Sequence, residues 1–189
     1  MEKKKIGHYD VFFFDELTST MDVAREMIDY GCEYAVVAKV QTDGRGRHGR
    51  KWISNEGGLW ISIVWKHVDK NLLKYMFLVV AKSIVETLKN FGISSRIKLP
   101  NDIYAENRKI SGILIENLRA CVIIGIGINV NNDLDEEMGD ATSCRNIIGR
   151  TLNLDSVLNL TIENLDKSRS CFVSDNDEFF NEIKGLLIK

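Results

Sequence analysis

The chain has 189 residues, 44% of them hydrophobic and 28% charged, with a formal net charge of −2 at pH 7. That length suits one compact domain with room for a small appendage, and the mild acidity argues against nonspecific nucleic-acid binding as its main business. Cys32, Cys121, Cys144 and Cys171 stand singly, with no CxxC pair and no histidine at zinc spacing, so they read as small buried thiols in a reducing compartment. No long apolar segment follows the charged start Met1-Glu2-Lys3-Lys4-Lys5, and the expectation is a cytoplasmic chain without a signal peptide or membrane span.

Residues 9–14 are β-branched and aromatic and predict a first strand. Thr18-Ser19-Thr20 then marks a helix start, with Asp22 completing a capping-box-like pattern and Gly31 supplying the stop. Capping by itself explains the hydroxyls of Ser19 and Thr20. The other reading is contact with a small molecule, because a strand-to-helix junction also presents free N–H groups. Residues 34–40 predict the next strand, which ends at Gln41.

Residues 44–52 follow, Gly-Arg-Gly-Arg-His-Gly-Arg-Lys-Trp, with three glycines and four cationic side chains. Glycine at that density suits neither helix nor strand, so a loop is expected. Its composition fits backbone N–H groups closing around an anion while guanidinium groups add charge-assisted bonds, with phosphate the first anion to consider. A solvated turn or an RNA-binding arm is the alternative.

Beyond the loop, residues 59–65 are almost wholly apolar and predict a strand covered on both faces, with Leu59, Ile61, Ile63 and Trp65 on one of them. Residues 71–91 carry apolar side chains at helical spacing and predict a long helix ending at Gly92. Residues 95–99 predict a strand that Pro100, the single proline, terminates in a turn carrying Asn101 and Asp102. Asp102 is either a turn cap or a ligand for Mg²⁺, which commonly uses one or two carboxylates together with substrate phosphates.

After a turn at Glu106-Asn107, a strand begins at Lys109 and contains Gly112, a point of close approach for a ligand or a neighbouring backbone. Residues 121–129 form another apolar strand, broken by Gly125 and Gly127 and ending at Asn129. Ala141-Thr142-Ser143 marks a helix start, two helical stripes occupy residues 154–165 and 179–187, and an acidic linker at 174–178 separates them. The division expected is residues 1–150 as the functional domain and 151–189 as a mainly helical extension. The fold class is α/β (α+β), a mixed sheet packed against helices.

The polar features gather at strand ends, which suits a pocket with an apolar floor, hydroxyl and amide groups at one end and a polyanion at the other. Of the three histidines, His8 and His67 lack local acid partners and His48 lies in the loop, so no nucleophile–base–orienter set is present. Positioning and electrostatics are left to carry any reaction.

Five motifs, in order, resemble those of biotin protein ligases. Residues 44–52 are similar to that family's glycine/arginine loop, Ser19-Thr20-Met21 to its Ser-Thr-Asn, and Lys98-Leu99-Pro100-Asn101-Asp102 to its Lys-Trp-Pro-Asn-Asp. Arg108-Lys109-Ile110-Ser111-Gly112 is similar to its Arg-Lys-x-x-Gly, and Gly125-Ile126-Gly127-Ile128-Asn129 to its Gly-x-Gly-Ile-Asn. The resemblance implies a class II aminoacyl-tRNA synthetase-like catalytic fold and a two-step reaction. Biotin and MgATP give biotinyl-AMP, and a lysine of a biotin carboxyl carrier domain then takes the biotinyl group.

It further implies Ser19, Thr20, Met21, Gln41, Gly46 and Gly112 at the biotin. Arg45 and Arg47 would close over its carboxylate and the adenylate phosphate. Lys109 and Arg47 would be catalytic, with Lys109 bridging both anions. Arg50, Trp52, Asn101, Asp102 and Asn129 would stand on the ATP side, with Asp102 holding Mg²⁺ and Trp52 near the adenine. Met21 and Leu99 depart from the family's Asn and Trp. About eight residues precede the first predicted strand, so the helix-turn-helix of many relatives, and DNA binding with it, is not expected. The β-barrel that often follows the catalytic domain is not recognised in residues 151–189. Pairing through sheet edges, common among relatives, implies a possible homodimer.

Three rival readings fit the motifs less well. A lipoate–protein ligase shares the fold and the adenylation chemistry, but its arginine/glycine loop differs in kind. Covalent nucleotidyl transfer through Lys109 lacks the aspartate of the Lys-x-Asp-Gly motif. A non-catalytic module holding RNA on residues 45–51 and Trp52 leaves the other four motifs without a purpose.

Overall fold

The computed structural model describes residues 1–118, 121–134 and 138–188. Its frame is one eight-stranded sheet: β1 (Glu2–Ile6), β2 (Tyr9–Leu17), β3 (Tyr34–Gln41), β4 (Leu59–Lys66), β5 (Arg96–Lys98), β6 (Asp102–Ala105), β7 (Arg108–Leu118) and β8 (Cys121–Ile128). The spatial order is β1-β2-β3-β4-β8-β7-β6-β5. Only β2 and β3 pair in parallel; every other neighbour is antiparallel. That parallel pair needs a crossover, which α1 (Thr20–Glu26) supplies.

The two faces of the sheet are covered by different elements. Ile61, Ile63 and Trp65 of β4, with Ile124 and Ile126 of β8, pack against α2 (Lys70–Asn90), α4 (Leu154–Ser174) and α5 (Asn176–Leu186). Val64 and Ile123, one step out of phase, face α1 through Met21 and Ala24. The near-continuous apolar run of β4 follows from this double burial, as expected. Trp65 Nε1 donates to the Tyr9 hydroxyl (2.7 Å), which donates to Asp166 on α4 (2.8 Å), so a polar chain crosses the core fully satisfied.

From α4 and α5, Val157, Leu158, Ile162, Leu165, Phe172, Phe179 and Ile183 lie in the same core as the sheet. The acidic linker expected at 174–178 reduces to Asp175. It ends α4 and caps α5, its side chain accepting from the Glu178 N–H.

Two strands escaped the sequence reading. β1 carries three lysines and is exposed almost throughout, without the alternation that marks a half-buried strand; Lys3 and Lys5 both pair with Asp10 of β2. Lysines on an edge strand also oppose unwanted pairing with another chain. β6 has four residues, too few for a periodic signal, and Asp102 is its first residue rather than a turn residue. Among the cysteines, Cys121 and Cys144 are buried as expected, and burial pushes the Cys144 thiol up to about 12, but Cys32 is exposed. No helix among the described residues is long and apolar enough to cross a membrane.

α2 starts where Asp69 accepts a hydrogen bond from the Leu72 N–H at 2.8 Å. Asp69→Ala is expected to cost about 1 kcal/mol, a fall in Tm of roughly 2–4 °C for a chain of this size. An unchanged thermal midpoint would mean that water satisfies that N–H equally well.

Candidate active site

A cavity of about 380 Å³ opens on the α1 side of the sheet. Its floor is glycine for a steric reason. Gly112 of β7 and Gly127 of β8 are register partners, and the Trp52 indole lies across both. A Cβ on Gly112 would come within 2.7 Å of that ring, and one on Gly127 within 2.5 Å of its Nε1. Gly125 makes room in the same way for the Met21 sulfur, at 2.7 Å from a Cβ. The glycines that interrupt two apolar strands therefore let side chains lie on bare backbone.

At the α1 end the polar groups form a chain. Gln41 Oε1 accepts from the Thr20 N–H (2.8 Å) and the Thr20 hydroxyl (3.1 Å), Ser62 donates to Thr20 Oγ1 (2.8 Å), and Gln41 Nε2 donates to Ser54 (2.7 Å). This set joins a hydroxyl and an amide in fixed orientations at the end of an apolar slot. Ser19 is the N-cap residue of α1 in its backbone, yet its side chain makes no capping bond. That corrects the capping-box reading, since Asp22 pairs with Arg45 instead. The Ser19 hydroxyl is fully buried without a partner and does not line the cavity.

The basic loop closes over the cavity as a short neck and a tip. Trp52 N–H donates to Gly44 O and Gly46 N–H to Arg50 O, both at 2.7 Å, and Arg45 and Lys51 form an antiparallel bridge. The tip is one 3-10 turn, Arg47–Gly49, with His48 and Gly49 at φ 56° and 72°. Gly44 cannot be replaced without moving backbone, because its Cβ would lie 2.3 Å from Trp52 O. The expectation of an irregular loop holds for the tip, while the neck is held by ordered backbone bonds.

Arg47 reaches across the cavity and donates to Asn101 Oδ1 (2.9 Å). Lys109 Nζ lies 2.6 Å from Asp102 Oδ1 and 5.0 Å from the centre of the Trp52 ring. Cations from the loop and from β7 thus meet over one region, and Arg47, Arg50 and Lys51 have no carboxylate partner among the described residues. A polyanion would supply one. On the far side of Trp52 lies a second cavity of about 150 Å³, which shares Lys51, Trp52 and Lys109 with the first and adds Asn129, Met138 and Ala141.

The family model for "Biotin/lipoate A/B protein ligase family" matches residues 13–129. The chain belongs to that family. Its relatives include the bifunctional ligase/repressor BirA of Bacillus subtilis, 35% identical over 171 residues that cover 82% of this chain and 52% of that one. The chain therefore spans about half the length of the curated relatives it matches first. Among solved structures, the biotin protein ligase of Aquifex aeolicus in complex with biotin and ATP superimposes with a TM-score of 0.86 at 35% identity, covering 94% of this chain and 78% of that one. The Leishmania major enzyme in complex with biotinyl-5-AMP gives 0.84 at 26% identity, covering 94% and 81%. The family's mixed sheet with helices is the fold seen here.

The five family motifs converge in space. Thr20, Met21, Gln41, Gly46, Arg50 and Gly112 line the larger cavity, as do Arg47, Trp52, Asn101, Asp102 and Lys109. Asn129 lines only the smaller one, and its amide is engaged: Nδ2 donates to Thr142 O (3.1 Å) and Oδ1 accepts from Asn132 (3.2 Å). Arg45 lines the same cavity, and its two terminal nitrogens bind the carboxylates of Asp22 and Glu116 at 2.7 Å each. Leu99, in the place of the family's Trp, is 59% exposed and packs on little.

Ser54, Ser62 and Glu116 were not singled out in the sequence. A lone serine in an apolar strand carries no signal of its own. Glu116, however, shares a strand face with Gly112 and Leu114 at a period of two, a pattern that could have placed it near the site. His8 was expected to lack acid partners nearby in the sequence; its partners are distant ones, Glu33 and Asp166, 3.0 and 3.3 Å from its ring nitrogens and outside the cavity.

Proposed function

We propose that the chain carries the catalytic machinery of a biotin–protein ligase. The observation that carries this reading is the cavity itself. A hydroxyl–amide set closes one end, and Lys109 and Arg47 meet over the other from opposite sides. A bicyclic urea with a carboxylate tail matches that polarity, with the ureido group toward Thr20 and Gln41 and the tail toward the cations. The structures solved with biotin, ATP or biotinyl-AMP are of proteins similar to this one, which supports the same ligands here.

In the first step a carboxylate oxygen of biotin attacks the α-phosphorus of ATP, and pyrophosphate leaves. Two anions must approach: at about 4 Å their repulsion is ~1 kcal/mol in water but ~4 at an effective dielectric near 20. Lys109 and Arg47 offset that repulsion, with Arg50 and Lys51 beside the phosphates. In the second step the ε-amine of a carrier-domain lysine attacks the acyl carbon, and AMP departs. The smaller cavity beyond Trp52, walled by Asn129 and Ala141, suits the flat base.

Magnesium would neutralise the phosphates. Among the described residues, Asp102 is the one carboxylate lining the larger cavity, and no group of three His, Cys, Asp or Glu could hold a metal alone. That donor set fits a cation borne mainly by phosphates and waters, with Lys109 sharing Asp102. Asp102→Asn should raise the Mg²⁺ concentration for half-maximal rate severalfold, since a neutral amide is a poorer ligand for a hard cation. An unchanged magnesium dependence would leave Asp102 as a partner of Lys109 only.

The partner in this reading is a biotin carboxyl carrier domain. The unpaired cysteines agree with a cytoplasmic setting. The deciding measurement is pyrophosphate release from ATP with biotin or with lipoate as co-substrate. Release with biotin alone is expected; release with lipoate alone would move the chain to the other branch of its family.

A further inference from the structure

Arg45 is held differently from every other cation of the loop. Its Nη1 donates to Asp22 Oδ1 on α1 and its Nη2 to Glu116 Oε1 on β7, each at 2.7 Å. Arg25 of α1 occupies the other oxygen of Glu116. Glu116 is mostly buried, with 17% of its side chain exposed, so both of its oxygens are committed to guanidinium groups in a confined place. Two carboxylates balance the charges of Arg25 and Arg45. Arg47, Arg50 and Lys51, beyond it in the chain, have no such partners among the described residues.

We propose that Glu116 and Asp22 are positioning residues, which clamp Arg45 as the fixed post of the basic loop. The loop then divides into a stationary limb at Gly44 and Arg45, tied to α1 and β7, and a tip at 47–50 that carries the anion-binding cations. Only arginine suits the post, because its planar fork presents separate N–H groups to two carboxylates at once, whereas an ammonium is a single point charge. Loss of the clamp frees the limb and enlarges the tip's range, and a closed tip over the nucleotide becomes a smaller share of the population. The effect on nucleotide retention rests on the ligase reading; the effect on the loop does not.

The test is timed trypsin digestion of the free protein, counting by mass spectrometry only the bonds after Arg47, Arg50 and Lys51. Arg45→Lys keeps the charge and, being at a partly exposed position, is expected to leave the fold intact; Glu116→Ala and Glu116→Gln remove the acceptor in two degrees. Cleavage of the opened state tracks its population. Arg45→Lys and Glu116→Ala should be cut about fivefold faster or more, the equivalent of ~1 kcal/mol. Glu116→Gln should fall between them and the parent, because its amide oxygen still accepts from Arg45. Cleavage of Arg45→Lys at the parent's rate would overturn the clamp and return Arg45 to the free cations. A second readout is release of adenylate into solution, which should rise in Glu116→Ala and less in Glu116→Gln. Absence of biotin-dependent pyrophosphate release by the parent would count against the ligase reading and leave the digestion result standing.

Discussion

Replacing Lys109 with alanine is expected to lower biotinyl-adenylate formation at least about a hundredfold, the lower bound for losing one preorganised donor at a developing charge, ~2.7 kcal/mol. Lys109 lines both cavities and reaches Asp102, a carboxylate in the lining of the larger one. Its backbone is fixed on both sides: its N–H donates to Asp140 O and its carbonyl accepts from the Thr142 N–H. The ammonium is thus delivered by rigid β7, with 29% of the side chain exposed. No other cation of a strand lines the larger cavity, so the loop cannot replace it from the same direction. Single-turnover adenylation would read the loss directly, and a variant within a few-fold of the parent would remove Lys109 from the reacting site.

Arg47→Gly is expected to cost the adenylate more than it costs the first encounter with biotin. Arg47 is the one side chain of the loop that bonds to the opposite rim, through Asn101. Its removal takes away the proposed phosphate donor and the bond to Asn101 across the mouth, and adds the backbone freedom of a fourth glycine to the loop. Biotinyl-AMP should then escape at least tenfold faster and acylate lysines of bystander proteins, because water and bulk amines reach a mixed anhydride that closure otherwise protects. Biotin affinity measured without ATP should change less, since the ureido end does not involve Arg47. Equal adenylate release by variant and parent would sink that role.

Several site residues were legible in the chain because their chemistry is local. Three glycines and four cations in nine positions describe a loop whose composition suits an anion, and Pro100 marks the end of a strand. The two-faced burial of β4 was likewise written in its nearly unbroken apolar run, and the long α2 in the period of its apolar residues. β1 and β6 were not, because one is lysine-rich and the other is too short to show a period.

What the sequence determined by itself was the inventory: an α/β chain with five polar motifs at strand ends, in an order that resembles one enzyme family. Which of those motifs touch was decided by the tertiary structure. Gly112 and Gly127 are fifteen positions apart, and only the β7–β8 register makes them neighbours under one indole. The same holds for the division of labour among the arginines. Arg45 and Arg47 are two residues apart and indistinguishable in composition, yet one faces Asp22 and Glu116 and the other faces Asn101. A cation's role depends on the charges within a few ångströms of it, and those come from elements 23, 71 and 54 residues away along the chain.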